Sequence, residues 1–371
     1  MSVRNLSPQA MFEKTALEHR PELSFAAEPG RDFAAWKAEA LPRVLATLGD
    51  FPEPVPAEPQ LLAEWEQDGL TRQKWVLDVQ RHLSATCLVN IPPAPEGKLL
   101  PAIQCWHGHG PFGKEAVMGV GSSPEMRANI ELHNYNYGYQ MAQRGFVTYA
   151  IDWIGGGERN DAAKPNHRNT ANGRDWCNLY YLNATMLGMT SLSINLAHGR
   201  AATDFVCGLP FVAPDKLGVM GLSGGGTMAL WTGLCNDRFK AIEIVCYSDL
   251  WAHFGFRDLN YCGMQVAPGL YKLVDVPDLQ GLLAPRPLLV DVGSEDSCFK
   301  VDTAMECYRG VEAIYAAAGA GDALELDLFP GEHGWGGRRS EAFFKRYLDV
   351  GWRRRTDGPA ERTIRRSKHY L

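Results

Sequence analysis

The sequence predicts an α/β fold in which a mostly parallel β-sheet is covered by helices on both faces. Apolar, strand-like runs recur along the chain, and stretches with helical spacing, such as 191–207 and 302–318, lie between several of them. The length of 371 residues, with 45% hydrophobic and 22% charged residues, supports one large globular domain with extra segments. Strands are predicted at 74–79, 85–90, 101–106, 146–151, 217–220, 241–245, 287–292 and 324–329, and the first two are expected to be antiparallel.

The pattern divides the chain into three parts. Residues 1–70 are predicted to form an N-terminal helical arm, because residues 33–48 have helical spacing and a proline-rich connector follows at 51–56. Residues 71–352 form the predicted main, catalytic domain, and residues 353–371 a basic C-terminal tail. Three lid-like insertions rich in aromatic residues lie near 112–139, 160–189 and 247–272.

Charge and cysteine content argue against several classes of protein. A formal net charge of −6 does not suit a nucleic-acid-binding surface, and no apolar run is long enough to cross a bilayer. The first twenty residues lack the pattern of a signal peptide. Nine cysteines without a C-x-x-C pair are typical of reduced thiols rather than of a disulfide framework. The sequence therefore predicts a cytoplasmic protein without nucleic-acid or membrane partners.

A serine lies between a predicted strand and a predicted helix. Residues 221–226 read G-L-S-G-G-G, directly after the apolar run at 217–220. Glycines on both sides allow a sharp, strained turn that exposes the hydroxyl of Ser223 at the edge of a sheet, where a substrate carbonyl can reach it. This pattern indicates the nucleophile elbow of a hydrolase. The alternative interpretation is an ordinary strand-to-helix turn with a serine near the helix N-cap.

A serine nucleophile needs a base and a group that orients the base, and both candidates follow later strands. Asp296 lies in the loop after the run at 287–292, where the acid is expected, with the neighbouring Glu295 as the alternative. Asp291 lies within the strand and is expected to be structural. His333 lies in a glycine-rich loop after the last strand and is the predicted base.

The loop after the run at 101–106 reads H-G-H-G and is the candidate oxyanion loop. We expect the backbone amides of His109 and Gly224 to bind the oxyanion, with Gly110 as the next amide and a lining residue of the substrate pocket. His107 is expected to brace the loop. His-x-His could also bind a metal, but the sequence shows no further ligand at suitable spacing, so neither a metal nor a cofactor is predicted. Trp335 is the predicted wall of the pocket.

Four segments together resemble the α/β-hydrolase superfamily, and within it the dienelactone-hydrolase-like and acetyl-xylan-esterase-like branch. They are G-L-S-G-G-G at 221–226, H-G-H-G at 107–110, D-W-I-G-G-G-E-R at 152–159 and A-P-R-P-L-L-V at 284–290. The resemblance implies an eight-stranded sheet, a catalytic triad of Ser223, Asp296 and His333, and ester hydrolysis through an acyl-enzyme. The chain has a serine where dienelactone hydrolases have a cysteine nucleophile.

The motifs and the resemblance together predict a serine hydrolase that cleaves a carboxylic ester of a small or medium substrate. A peptidase or amidase with the same triad is one alternative, and a non-catalytic ligand-binding protein on the same scaffold is another. The expected partner is a small-molecule ester. Assembly into a homo-oligomer is expected only as a general tendency of such enzymes.

Overall fold

The computed structural model describes residues 4–161 and 174–349, and its centre is a sheet of nine strands in the order β1-β2-β3-β5-β4-β6-β7-β8-β9. Strands β1, β2 and β3 form an antiparallel meander at one edge, and β3 pairs antiparallel with β5. The other pairs are parallel. The strands are Gln60–Gln67 (β1), Leu70–Gln80 (β2), Leu83–Ile91 (β3), Leu100–Trp106 (β4), Val147–Ile151 (β5), Val212–Leu222 (β6), Phe239–Val245 (β7), Leu288–Gly293 (β8) and Leu324–Phe329 (β9).

The expectation of eight strands is wrong by one, because β1 adds a ninth at the edge of the sheet. This strand lies within residues 1–70, where the sequence predicted a helical arm. Six of its eight residues are exposed, and no other described strand pairs with β1 on the side away from β2. An exposed edge strand needs no continuous apolar run, and its sequence therefore lacks the signal by which the buried strands were recognised.

Helices cover both faces of the sheet. They are Pro8–Glu18 (α1), Phe33–Ala46 (α2), Gly113–Val117 (α3), Pro124–His133 (α4), Tyr137–Gln143 (α5), Arg174–Met186 (α6), Ser191–Cys207 (α7), Gly224–Cys235 (α8), Leu270–Leu273 (α9), Val276–Gly281 (α10), Val301–Ala317 (α11) and Ser340–Phe344 (α12). Short 3₁₀ turns occur at Phe25–Ala27, Gly157–Arg159, Gly263–Gln265 and Gly321–Ala323, and π-helical turns at Trp251–Arg257 and Lys345–Asp349.

Two apolar cores lie on the two faces, and successive strand residues alternate between them. Along β4, Ala102 and Trp106 belong to the larger core, whereas Ile103 and Cys105 belong to the smaller one. Helices α2, α7, α8 and α11 contribute to the larger core, and α3, α5 and α12 to the smaller. The predicted α/β architecture with helices on both faces is confirmed.

The predicted insertions are partly visible. The stretch 112–139 contains α3 and α4, and 247–272 contains the π-helical turn Trp251–Arg257 and the 3₁₀ turn Gly263–Gln265. In the remaining insertion, near 160–189, residues 162–173 lie outside the described part of the chain. The predicted tail at 353–371 also lies outside it. Across the described ranges, no helix is both long enough and apolar enough to pass through a lipid bilayer.

Candidate active site

Ser223 lies on a strained turn between β6 and α8. Its backbone dihedrals are φ 59° and ψ −119°, a conformation that side-chain-bearing residues rarely adopt. A hydrogen bond of 2.9 Å from its amide to the carbonyl of Val245 holds the turn against the neighbouring strand. Such a conformation costs about 1–3 kcal/mol and persists only where the surrounding structure enforces it. The hydroxyl is thereby carried beyond the end of the sheet.

The glycines of this turn are required by close contacts. A Cβ atom at Gly221 would lie 2.2 Å from the carbonyl oxygen of Gly225, and one at Gly225 would lie 2.1 Å from the carbonyl oxygen of Trp106. At Gly226 a Cβ atom would lie 2.6 Å from Cβ of Tyr247. These distances leave no room for a side chain at any of the three positions.

Asp296 and His333 form an acid–base pair at the same edge of the sheet. His333 Nδ1 lies 2.8 Å from Asp296 Oδ2, and Asp296 Oδ1 accepts hydrogen bonds from the amides of Cys298 at 2.7 Å and Phe299 at 2.9 Å. Burial acts to raise the pKa of Asp296, but the bonds and charge of His333 and the two amides outweigh it and lower that pKa. The carboxylate is therefore held ionised and oriented towards the imidazole.

The other acidic candidates lie elsewhere. Glu295 is exposed to solvent. Asp291 is fully buried within β8, where Glu243 and Asp327 act on its charge. Of the three acids that the sequence analysis considered, Asp296 is the one that contacts His333.

The end of α4 anchors the loop that carries His333. His133 Nδ1 lies 2.7 Å from the carbonyl oxygen of His333, and the amide of Trp335 donates to the carbonyl of His133 at 3.0 Å. Asn134, in the left-handed conformation that ends α4, donates from Nδ2 to the carbonyl of Trp335 at 2.9 Å. The sequence analysis missed this anchor, because about 200 residues separate the two segments and neither carries a recognisable motif.

The three predicted triad residues follow parallel strands: Ser223 follows β6, Asp296 follows β8 and His333 follows β9. The carboxyl ends of parallel strands meet at one edge of a sheet, where ligands bind in open α/β folds. Among the described contacts His333 bonds to Asp296 but not to the hydroxyl of Ser223. Since catalytic hydrogen bonds are often long before substrate binds, the contact between serine and histidine stays a prediction.

The loop after β4 lies directly against the serine. A Cβ atom at Gly108 would lie 2.7 Å from the carbonyl oxygen of Leu222 and 3.2 Å from Cβ of Ser223. The amide of Gly108 donates to Tyr135 Oη at 2.6 Å, so the next amide along the loop is that of His109. Gly224 is the first residue of α8, and the first amides of a helix have no partner within it.

The side chain of His107 holds this loop in place, as the sequence analysis expected. It is fully buried, and its Nδ1 lies 2.8 Å from the carbonyl oxygen of Gly108. The ring stacks on Trp153 at 4.9 Å, and its Nε2 lies 3.3 Å from Asp152 Oδ1. Burial lowers the pKa of His107 to about 4, so the ring is neutral at pH 7.

Comparison with known proteins identifies the family. The model of the Abhydrolase family matches residues 2–314, which is most of the chain. The chain belongs to the Abhydrolase family. A protein of Bacillus subtilis (strain 168) named "Putative hydrolase YtaP" is 26% identical over 292 residues, which are 78% of this chain and 91% of that protein.

Solved structures share the fold of this abhydrolase. A Bacteroides fragilis protein named "a putative acetyl xylan esterase" is 19% identical with a TM-score of 0.69, over 88% of this chain and 83% of that one. The glucuronoyl esterase of Solibacter usitatus is 16% identical with a TM-score of 0.64, over 90% and 98%. The predicted resemblance to α/β-hydrolases of the acetyl-xylan-esterase-like branch is confirmed at the level of fold.

Two residues of the predicted pocket differ in their surroundings. Gly110 is exposed, and a Cβ atom placed on it would meet nothing within 4 Å. Trp335 is 2% exposed, and its Nε1 donates to Glu243 Oε1 at 2.9 Å and to Ser340 Oγ at 3.1 Å. That Trp335 forms a wall of the pocket stays a prediction, which these contacts do not support. The indole N–H donates to these two acceptors, and the ring is packed within the smaller core.

Two groups of side chains in the described part of this abhydrolase are spaced as metal ligands are. One group is Cys246, Asp296 and His333. Within it, Asp296 and His333 already bond to each other as the acid–base pair. The other is His109, Cys177 and Cys262, of which His109 lies against Gly224, the residue after the serine. The sequence predicted no metal site because these three ligands come from three distant segments.

Proposed function

We propose that this abhydrolase is a serine esterase that hydrolyses carboxylic esters of small or medium size. Ser223 is the nucleophile, His333 the general base and Asp296 the group that orients the imidazole. The observation that carries the proposal is the strained conformation of Ser223, with φ 59° and ψ −119°, at the edge where His333 Nδ1 contacts Asp296 Oδ2 at 2.8 Å. A serine held in this way outside the regular backbone conformations is typical of a nucleophile rather than of a helix cap.

Hydrolysis then takes two steps. His333 Nε2 accepts the proton of Ser223 as Oγ attacks the ester carbonyl carbon, and the imidazolium returns that proton to the alcohol that leaves. An acyl group remains on Ser223 Oγ. In the second step His333 takes a proton from water as its oxygen attacks the acyl carbon. The bond from that carbon to Ser223 Oγ then breaks and the imidazolium returns the proton to Oγ, which releases the carboxylic acid and restores the free serine. Asp296 keeps Nδ1 protonated throughout.

Two backbone amides bind the negative charge that forms on the carbonyl oxygen. The amide of Gly224 follows the nucleophile, and the amide of His109 lies in the loop that contacts the serine at Gly108. Donors placed in advance for this oxygen need no rearrangement during the reaction, and each is worth about 10²–10³ in kcat. The bond from Gly108 to Tyr135 fixes the loop in that position.

The choice of an ester rests on the fold relatives as well as on the site. The similar structures carry the names acetyl xylan esterase and glucuronoyl esterase, and both names denote enzymes that cleave esters. The proposal names the bond that is cleaved and leaves the acyl and alcohol parts to the experiment.

A panel of p-nitrophenyl esters of increasing acyl length tests the proposal. Ser223→Ala should lower kcat by about 10⁴–10⁶-fold, and the exposed Ser294→Ala, in the loop of the acid, should keep the wild-type rate. A fluorophosphonate should label Ser223 in the wild-type protein, as read by peptide mass spectrometry. A Ser223→Ala variant with the wild-type rate on its best ester, or labelling at another serine, would refute the assignment.

A further inference from the structure

Three soft or borderline metal ligands lie close together. The ligand atoms of His109, Cys177 and Cys262 all lie within 4.8 Å of one another, and His109 Nε2 is 3.0 Å from Cys262 Sγ. Cys177 and Cys262 are 1% and 2% exposed, so both thiols are withdrawn from bulk solvent. The proposed ester hydrolysis uses neither cysteine and does not use the imidazole of His109.

The three ligands lie on separate segments that are fixed to each other. Cys177 is on α6, and the next residue, Asn178, accepts a hydrogen bond from the amide of Gly263 at 2.8 Å. The amide of Cys262 donates to the side chain of Gln265 at 3.1 Å. The sulfurs are therefore positioned by backbone contacts of their neighbours.

The spacing fits zinc. Zn²⁺ binds cysteine sulfur at about 2.3 Å and histidine nitrogen at about 2.0–2.1 Å, and in a tetrahedron these lengths place the ligand atoms about 3.3–3.8 Å apart. His109 Nε2 and Cys262 Sγ, at 3.0 Å, are slightly closer than this, and none of the three separations exceeds 4.8 Å. Small rotations of the side chains would bring all three donors onto one ion. Two thiolates with one imidazole favour zinc over magnesium or calcium, which prefer oxygen ligands.

We propose that His109, Cys177 and Cys262 form a Zn²⁺ site that joins the oxyanion loop, α6 and the segment before the 3₁₀ turn Gly263–Gln265. Binding releases the protons of the two thiols, and the fourth coordination position is left to water. The ring of His109 adjoins the elbow, since its Nδ1 is 3.1 Å from where a Cβ atom of Gly224 would be. The inference concerns metal binding and does not depend on the proposed esterase activity.

Co²⁺ as a spectroscopic probe tests the site. Full-length protein without an affinity tag is reduced with a phosphine, desalted and titrated with Co²⁺. We expect saturation at one equivalent, with a sulfur-to-cobalt charge-transfer band and tetrahedral ligand-field bands, and displacement of Co²⁺ by Zn²⁺. Cys177→Ser and Cys262→Ser should each lose about half of the charge-transfer intensity and bind at least about 100-fold more weakly. Cys207, a partly buried cysteine of α7, lies outside the cluster, and Cys207→Ser should keep the charge-transfer intensity and the Co²⁺ affinity of the wild type.

Several results would overturn the proposal. The reduced, folded wild-type protein could show no charge-transfer band at one equivalent of Co²⁺, or Cys177→Ser and Cys262→Ser could keep the full band. If a serine variant fails to fold, as seen by circular dichroism, X-ray absorption of the wild-type Zn²⁺ complex still decides, because it must show two sulfur ligands and one imidazole. Hydrolysis of p-nitrophenyl acetate is measured in parallel. The other esters of the p-nitrophenyl panel are measured in the same way. Absence of hydrolysis across the whole panel would refute the esterase function but would leave the cobalt result valid.

Discussion

At the scale of single residues, the orientation of His333 depends on one carboxylate. Asp296 divides its two oxygens between tasks, since Oδ1 accepts two backbone amides and Oδ2 faces His333 Nδ1. The amides fix the carboxylate in space, and the carboxylate in turn fixes the tautomer of the imidazole. Glu295, one residue away, is exposed, so adjacent acids in one loop have very different surroundings.

Asp296→Asn tests this division. The amide side chain can keep the two backbone hydrogen bonds, but it donates to Nδ1 if its NH₂ faces the ring and so stabilises the wrong tautomer. We expect kcat on the best p-nitrophenyl ester to fall by about 10³–10⁴-fold, with little change in thermal stability. The matched variant Glu295→Gln should keep the wild-type kcat. The opposite pattern, an active Asp296→Asn and an impaired Glu295→Gln, would transfer the role to Glu295.

At the scale of elements, a buried ion cluster joins α3 to the loop after β5. Lys114 Nζ lies 2.6 Å from Asp152 Oδ2 and 2.6 Å from Glu158 Oε2, and the lysine side chain is fully buried. Asp152 also contacts His107, which braces the loop after β4 that we propose to bind the oxyanion. The attractions between these charges outweigh burial in raising the pKa of Lys114, so the cluster is ionised at pH 7. The cluster therefore stabilises the contact of α3 with the loop after β5 and, through His107, the loop after β4.

Lys114→Met removes the cation and leaves Asp152 buried without its main partner. Breaking a buried pair in this way costs about 3–5 kcal/mol, and we expect that loss in the free energy of unfolding measured with urea at pH 7. Lys74→Met is the matched control, since Lys74 also bonds to Glu158 at 2.6 Å but is 25% exposed. Exposed pairs contribute about 1 kcal/mol or less. Equal losses in the two variants would contradict the role given to the buried lysine.

At the scale of the whole molecule, the sequence predicted the regular, buried strands but not the contacts between distant segments. The run predicted at 287–292 overlaps β8 almost completely, because a parallel strand that is buried on both faces is mostly apolar along its length. The exposed edge strand β1 has no such signature. Ser223, Asp296 and His333 were found because each follows a strand, whereas the anchor between His133 and the His333 loop leaves no pattern in either segment.

The role of Glu243 also could not be predicted from the sequence, because it depends on side chains of neighbouring strands that are distant along the chain. Glu243 is fully buried on β7, next to Asp291 on β8. These two carboxyls act on each other, and Asp327 on β9 acts on both of them. Glu243 Oε2 and both oxygens of Asp291 are buried without a donor. A proton retained by one carboxyl supplies the missing hydrogen bond between them.

Burial, with the nearby Asp327, raises the pKa of Glu243 from 4.5 to about 7. A carboxyl with a raised pKa in the folded state binds its proton more tightly there than in the unfolded chain. Its contribution to stability is fully present below about pH 4.5 and is lost as the pH rises to about 7, after which it stays constant. The shift of about 2.5 units corresponds to about 3 kcal/mol.

Glu243→Gln should remove the part of this loss that comes from Glu243, whereas Asp291, whose pKa burial also raises, keeps its own part. The glutamine Oε1 can still accept hydrogen bonds from Trp335 Nε1 and Ser340 Oγ, and its NH₂ can donate to Asp291. We expect the variant to be about as stable as the wild type at pH 5 and on the order of 3 kcal/mol more stable at pH 8, measured by urea denaturation at both values. Glu295→Gln, which changes an exposed carboxylate, should keep the wild-type dependence. If Glu243→Gln loses as much stability between pH 5 and pH 8 as the wild type does, the buried proton belongs to another group.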